Sequence, residues 1–266
     1  METALTVPRM AELAAPPSWR TVDFISDVHL HAGDEATFAA WQAYLQSTPA
    51  DAVFILGDLF EVWVGDDAVG ADFRAQPQAS FENRCASVLA QAASRLALFF
   101  MHGNRDFLVG PAFMDACRAT LLDDPTVLVF AGQRWLLSHG DALCLDDTGY
   151  MRVRQQVRGK DWQQAFLARP LAERQAMARE MRRQSQAHQQ DMDHGGVDDA
   201  AARQWLQAAD ARTLIHGHTH KPAGHDLGEG LSRVVLSDWD AQDSAPRADV
   251  LRLSASGLQR IALLSP

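Results

Sequence analysis

The chain has 266 residues, 47% hydrophobic and 22% charged, the balance of an ordinary soluble globular protein. Its 24 Lys and Arg against 34 Asp and Glu give a formal net charge of −10, which argues against a nucleic-acid partner. The longest apolar run, 96–101, has six residues, far short of the roughly 20 that a membrane-spanning helix needs. Residues 1–20 lack the basic start and apolar stretch of a secretory signal and read as a flexible leader. Hydrophobic patterning then predicts strands at 21–26, 52–56, 96–101, 126–130, 135–138 and 213–216. Helices are predicted at 35–46, 81–94 and 111–118, and further strands at 233–237, 248–253 and 258–263, the last two joined by a turn at 254–257. This is a single β-rich α/β domain with helices outside, spanning 21–265. Cys85, Cys117 and Cys144 are far apart and outside any metal or redox spacing, so each reads as a small buried hydrophobe in a reducing cytoplasm.

One segment departs from the acidic average. Residues 151–190 hold nine Lys or Arg against three acids, a net charge of +6 that leaves −16 on the rest of the chain. Val153/Val157 and Trp162/Phe166 recur at helical spacing before Pro170, and Met177/Met181 do so after it, which predicts two helices with a break at the proline. Such a segment can be a solvated hairpin, or it can collect an anionic ligand or rest on an anionic membrane.

Five short polar clusters each follow an apolar run: Asp27 with His29, Gly57 with Asp58, Gly103 to Asp106, His139 with Asp141, and His216 with His218 and His220. Ligands in open α/β sheets collect beyond the carboxyl ends of strands, so five such places can converge. Asp27, His29, Asp58, Asn104, His139, His216 and His218 pool oxygen and imidazole donors without a thiolate, which suits hard to borderline divalent ions. Seven donors exceed one tetrahedral site and suit two ions that share a ligand. A pair about 3.5–4 Å apart can activate a water and neutralise charge on a phosphoryl group. Ser138, His139 and Asp141 supply the residue types of a hydrolase triad, but adjacency in sequence is not triad geometry, and no nucleophile-elbow, P-loop or dinucleotide fingerprint is present.

In this order the motifs resemble the calcineurin-like binuclear metallophosphoesterases. The run 103–108, with Arg105 after Gly103 and Asn104, together with 55–67, 139–147 and 215–222, is similar to the UDP-2,3-diacylglucosamine pyrophosphohydrolases of the Gram-negative lipid A pathway. The resemblance implies a sandwich of two β-sheets flanked by helices, with a helical cap inserted at 148–195. It implies two divalent ions, Mn2+ foremost, with Asp27, His29, Asp58 and His218 on one and Asp58, Asn104, His139 and His216 on the other. Asp58 would bridge, and His220 would support the site from behind. Asp58, Asn104, Arg105 and His139 would be catalytic; Asn104, Arg105, Asp147, Ser185, Gln189 and His216 would bind substrate. Asp106 and Asp141 would orient ligands. In the cap, Gln189 stands where the family has Asn and Met192 where it has Lys.

The implied reaction is cleavage of a pyrophosphate to give UMP and a diacyl sugar phosphate in lipopolysaccharide synthesis. The implied place is the cytoplasmic face of the inner membrane, touched peripherally by the cap. A phosphoesterase acting on a soluble nucleotide and a non-enzymatic metal-binding scaffold are the alternatives. Phe60, Trp63, Phe107 and Leu108 fit either core or pocket wall.

Overall fold

The computed structural model describes residues 7–189 and 196–264, the side chains of 182–189 excepted. Its strands are β1 (Ala11–Ala14), β2 (Thr21–Ile25), β3 (Ala52–Leu56), β4 (Ala97–Met101), β5 (Thr120–Leu122), β6 (Thr126–Phe130), β7 (Gln133–Leu137), β8 (Thr213–His216), β9 (Gly224–Gly228), β10 (Leu231–Val235), β11 (Asp249–Ser254) and β12 (Gly257–Ala262). Its helices are α1 (Glu35–Ser47), α2 (Phe81–Ala92), α3 (Pro111–Cys117), α4 (Thr148–Val157), α5 (Lys160–Leu167), α6 (Leu171–Gln189) and α7 (Asp199–Ala208).

Two six-stranded mixed sheets form, in the orders β1-β6-β7-β8-β10-β9 and β12-β11-β2-β3-β4-β5. The central strands are buried on both faces, which is why they read as continuous apolar runs. In β3, Ala52, Phe54 and Leu56 join the core between the sheets, while the alternate residues Val53 and Ile55 pack under the outer helices. Phe54 stacks on Phe99 at 4.6 Å within that inter-sheet core. On the far side α7 places Trp205 and Leu206 over Leu136 and Leu214. Helix starts are fixed locally: the Asp34 carboxylate accepts the Thr37 N–H at 2.8 Å, and Asp147 does the same for Tyr150 at 2.8 Å.

The structure departs from the sequence-based elements in three places. Residues 11–14, read as part of a flexible leader, form β1 and pair in parallel with β6. Their sequence carries no β-branched residue, so the strand depends on its partner, and Trp19 just after it packs edge-on against Phe54 and Phe99. The basic segment forms three helices, because Gly159 also ends a helix, between α4 and α5. The short edge strands β5 and β9, and helix α7, went unpredicted.

Candidate metal centre and the cavity beside it

The turns after β2, β3, β4, β7 and β8 meet at one edge of the sandwich. Asp27, His29, Asp58, His218 and His220 all have positive φ, between 52° and 70°. Non-glycine residues there carry a conformational cost of order 1–3 kcal/mol each, which concentrates at functional sites. Two glycines let the turns close on one another. A Cβ at Gly103 would collide with the Asp58 carboxylate, and one at Gly217 would collide with that of Asp27.

Asp27 organises one half of the cluster. Its Oδ2 accepts the Ser26 hydroxyl at 2.5 Å and the His218 backbone N–H at 2.9 Å. Its Oδ1 is buried and unpaired, 3.3 Å from His220 Nε2 and 4.0 Å from His29 Nε2. His29 Nε2 and His220 Nε2 face each other at 3.1 Å. In the other half, Asn104 Oδ1 lies 2.9 Å from His139 Nε2 and 2.8 Å from His218 Nδ1, and Asp58 Oδ2 lies 3.7 Å from His139 Nε2. His139 Nδ1 donates to the Leu56 carbonyl at 2.9 Å, which leaves Nε2 as the lone-pair donor facing the cluster.

Six of the seven sequence-derived ligands, Asp27, His29, Asp58, Asn104, His139 and His218, make these contacts directly. His216, the seventh, ends β8 fully buried, its Nδ1 donating to the Gly217 carbonyl at 2.9 Å and its Nε2 buried without a hydrogen-bond partner, which leaves that nitrogen open to a ligand. His218 and His220 follow it with left-handed backbones and also reach the centre. Two groups of donors within 4.8 Å of one another result, Asp27 with His29 and His220, and Asp27 with Asp58 and His139. Asp27 is common to both, whereas the resemblance gives the shared place to Asp58.

Asp106 ties the turns together. Fully buried, it accepts the backbone N–H of Leu59 at 2.8 Å, of Gly103 at 2.9 Å and of Asp58 at 3.3 Å. Asp141 has a similar place under α4, taking Arg154 Nε at 2.8 Å and the Tyr150 hydroxyl at 2.6 Å.

A cavity of about 380 Å3 opens directly off this cluster. His29, Asp58, Asn104, Arg105, Asp147 and Tyr150 line its polar end; Trp63, Val64, Phe107, Leu108, Trp162 and Phe166 line its apolar end. Trp63, Phe107 and Leu108 are thus pocket wall, while Phe60 sits in the core. Asp147 combines a place on the cavity wall with its capping bond to α4. The side chains of Ser185 and Gln189, and Met192 altogether, lie outside the described residues.

Residues 20–222 match the calcineurin-like phosphoesterase family. The chain belongs to the calcineurin-like phosphoesterases. It is 43% identical to the UDP-2,3-diacylglucosamine hydrolase of Chromobacterium violaceum over 91% of this chain and 98% of that one. It is also 42% identical to the same-named protein of Ralstonia nicotianae, over 87% and 88%, and 43% identical to that of Aeromonas hydrophila, over 83% and 91%.

Membership of the phosphoesterase family implies divalent metal ions, and the residues present fit them. The donors are carboxylate, amide and imidazole without thiolate, and the buried Asp27 Oδ1 is aimed into the cluster without a hydrogen-bond partner. The electrostatics are those of a cation site. Burial alone would raise Asp27, but His220 beside it and the imidazoles of His139 and His29 hold its carboxyl well below the usual range. Burial raises Asp58. Burial opposes protonation of His139, yet Asp58, Asp27 and Asp141 push it up to about 9, while burial and His139 push His218 down to about 3. The site thus gathers negative charge around His139 and keeps the His218 imidazole neutral, with a lone pair available.

His220 as a donor, with Glu61 and Tyr150 as cavity residues, are absent from the sequence-derived site. The His-Gly-His-Thr-His run offers three imidazoles at alternate positions, and the left-handed backbone after β8 is what brings His220 beside Asp27 and His29.

Proposed function

We propose that this chain hydrolyses the pyrophosphate of UDP-2,3-diacylglucosamine to UMP and 2,3-diacylglucosamine 1-phosphate, using two divalent ions, Mn2+ by resemblance. The observation that carries the reading is the apolar cavity opening from the metal centre. A soluble nucleotide has no use for the wall made by Trp63, Phe107, Trp162 and Phe166, whereas acyl chains joined to a pyrophosphate need both ends of the cavity. The names of the relatives point to the same substrate.

Asp27, His29, Asp58 and His218 would hold one ion, with His220 as a further donor beside Asp27 and His29, and Asp58, Asn104, His139 and His216 would hold the other. Bound there, such a pair lowers the pKa of a water and neutralises charge on the phosphoryl group. Arg105, on the cavity wall, grips two phosphoryl oxygens through its planar fork and stabilises the charge that builds on them. The hydrogen bond from the Arg105 backbone N–H to Asp58 Oδ1 at 2.8 Å fixes that residue's backbone against a carboxylate that would hold the ions. Asp147 can accept a sugar hydroxyl from the wall. Ser185 and Gln189 are assigned to the sugar and acyl region by resemblance alone.

Helices α4 to α6 would serve as the cap that presents this cavity to an anionic cytoplasmic membrane surface. Their excess of basic residues and the exposed Val153, Leu167, Met177 and Met181 support that placement. No helix among the described residues is long and apolar enough to cross a membrane. A substrate panel tests the reading: the diacyl nucleotide sugar should be turned over far faster than its deacylated counterpart or a soluble dinucleotide. Faster hydrolysis of the soluble compounds would reject it. Sedimentation with anionic liposomes at low salt tests the membrane contact, and full recovery in the supernatant would reject that part.

A further inference from the structure

We propose that Glu61 is a positioning residue that sets both the metal donor His29 and the anion-gripping Arg105. Its backbone is pinned between two of the site's turns: the Glu61 N–H donates to the Leu30 carbonyl at 3.1 Å, beside the strand-like bridge of Leu30 with Phe60. The side chain lies on the cavity wall, 12% exposed, and its two oxygens face different groups. Oε2 is 3.3 Å from His29 Nδ1, a charge contact outside hydrogen-bond alignment, and Oε1 accepts from Arg105 Nη1 at 3.3 Å.

Each contact has a chemical consequence. A carboxylate beside Nδ1 keeps the imidazole proton on that nitrogen. This leaves Nε2, the atom that faces Asp27 and His220, as the donor to a metal. The same carboxylate opposes the Arg105 charge and holds the guanidinium at the polar end of the cavity, next to the metal centre. One residue thereby couples the placement of an ion to the placement of the group that meets the substrate's phosphates. The inference rests on the metal site proposed above but not on the diacyl identity of the substrate.

Two affinities test it, with the full chain as wild type, Glu61→Ala and Glu61→Gln. Mn2+ binding is measured by titration calorimetry, inorganic phosphate binding is measured on the Mn2+-saturated protein, and thermal midpoints are recorded for the metal-free proteins. Glu61→Ala should weaken Mn2+ binding about 10–100-fold, the range for outer-shell partners of metal ligands. It should weaken phosphate binding roughly tenfold, the size of one charge-assisted hydrogen bond. Glu61→Gln retains an amide oxygen for the His29 Nδ1–H but no charge for Arg105, so Mn2+ affinity returns while phosphate binding stays weak. Unchanged affinities in Glu61→Ala overturn the proposal. So do equal losses in both variants accompanied by lowered thermal midpoints, which mark a merely structural role. Normal Mn2+ and phosphate binding without turnover of the diacyl substrate would reject the proposed substrate and leave these affinities to decide Glu61.

Discussion

Asp27 and His218, 191 positions apart in sequence, are joined by a 2.9 Å hydrogen bond from the His218 backbone N–H to Asp27 Oδ2. That bond anchors the turn after β8 to the turn after β2. With Oδ2 so engaged, Oδ1 faces His29 and His220. The same bond therefore holds the 216–220 run against Asp27.

His220→Ala should lower both Mn2+ affinity and hydrolysis by more than about 100-fold, beyond the effect of an outer-shell residue. His216→Ala should lower Mn2+ affinity comparably, because its buried Nε2 has no protein partner and is assigned to the second ion. Calorimetric Mn2+ titration of both variants measures the two losses, and Mn2+ affinity within about threefold of wild type would remove that histidine from the ligand set.

How much of this was legible in sequence depends on where each side chain is decided. Phe54 and Ile55 could be placed because a strand buried on both faces leaves an unbroken apolar signature. Asp27, His29, Asp58, Asn104 and His139 stand beside glycines or at strand ends, where the chain must turn. The place of His220 beside Asp27 was not legible, because a strand-like alternation puts residues 216, 218 and 220 on one face. The left-handed φ at His218 and His220 breaks that alternation. Glu61 was hidden for another reason: its partners His29 and Arg105 lie on two other turns, and no local pattern records a contact between turns. Strand β1 was missed because its stability comes from pairing with β6 rather than from its own residues.

The three cysteines should be unreactive in the folded state. Burial raises all three thiols, Cys144 to about 12, so at pH 8 its thiolate fraction is about 10−4. A disulfide-exchange reagent at pH 8 should titrate none of them in native protein and all three in denaturant. The sign for stability follows from the same shifts. An unfolded thiol ionises above about 8.5 while the folded one stays protonated, so stability is retained below that pH and falls above it. Each thiol contributes a slope of about 1.4 kcal/mol per pH unit in that window, which urea unfolding between pH 8 and pH 10 measures.

Arg252 and Asp23 report on the outer layer of the sandwich. Asp23 is fully buried in β2 and takes Arg252 Nε at 2.7 Å and Nη2 at 2.8 Å, with the Thr48 hydroxyl at 2.7 Å and the Tyr44 hydroxyl at 3.0 Å. Arg252→Ala should cost about 3 kcal/mol, the low end for breaking a buried pair, because two hydroxyl donors stay on the carboxylate. Urea unfolding measures the loss. Hydrolytic activity at saturating metal should be unchanged, since the pair lies outside the metal centre and the cavity.

The most direct test of the central claim is release of UMP from UDP-2,3-diacylglucosamine by the purified chain with added Mn2+. The account predicts turnover that chelation abolishes, that Mn2+ restores, and that Asp58→Ala lowers by more than about 100-fold. Folded, Mn2+-loaded protein that releases no UMP from this substrate would contradict it.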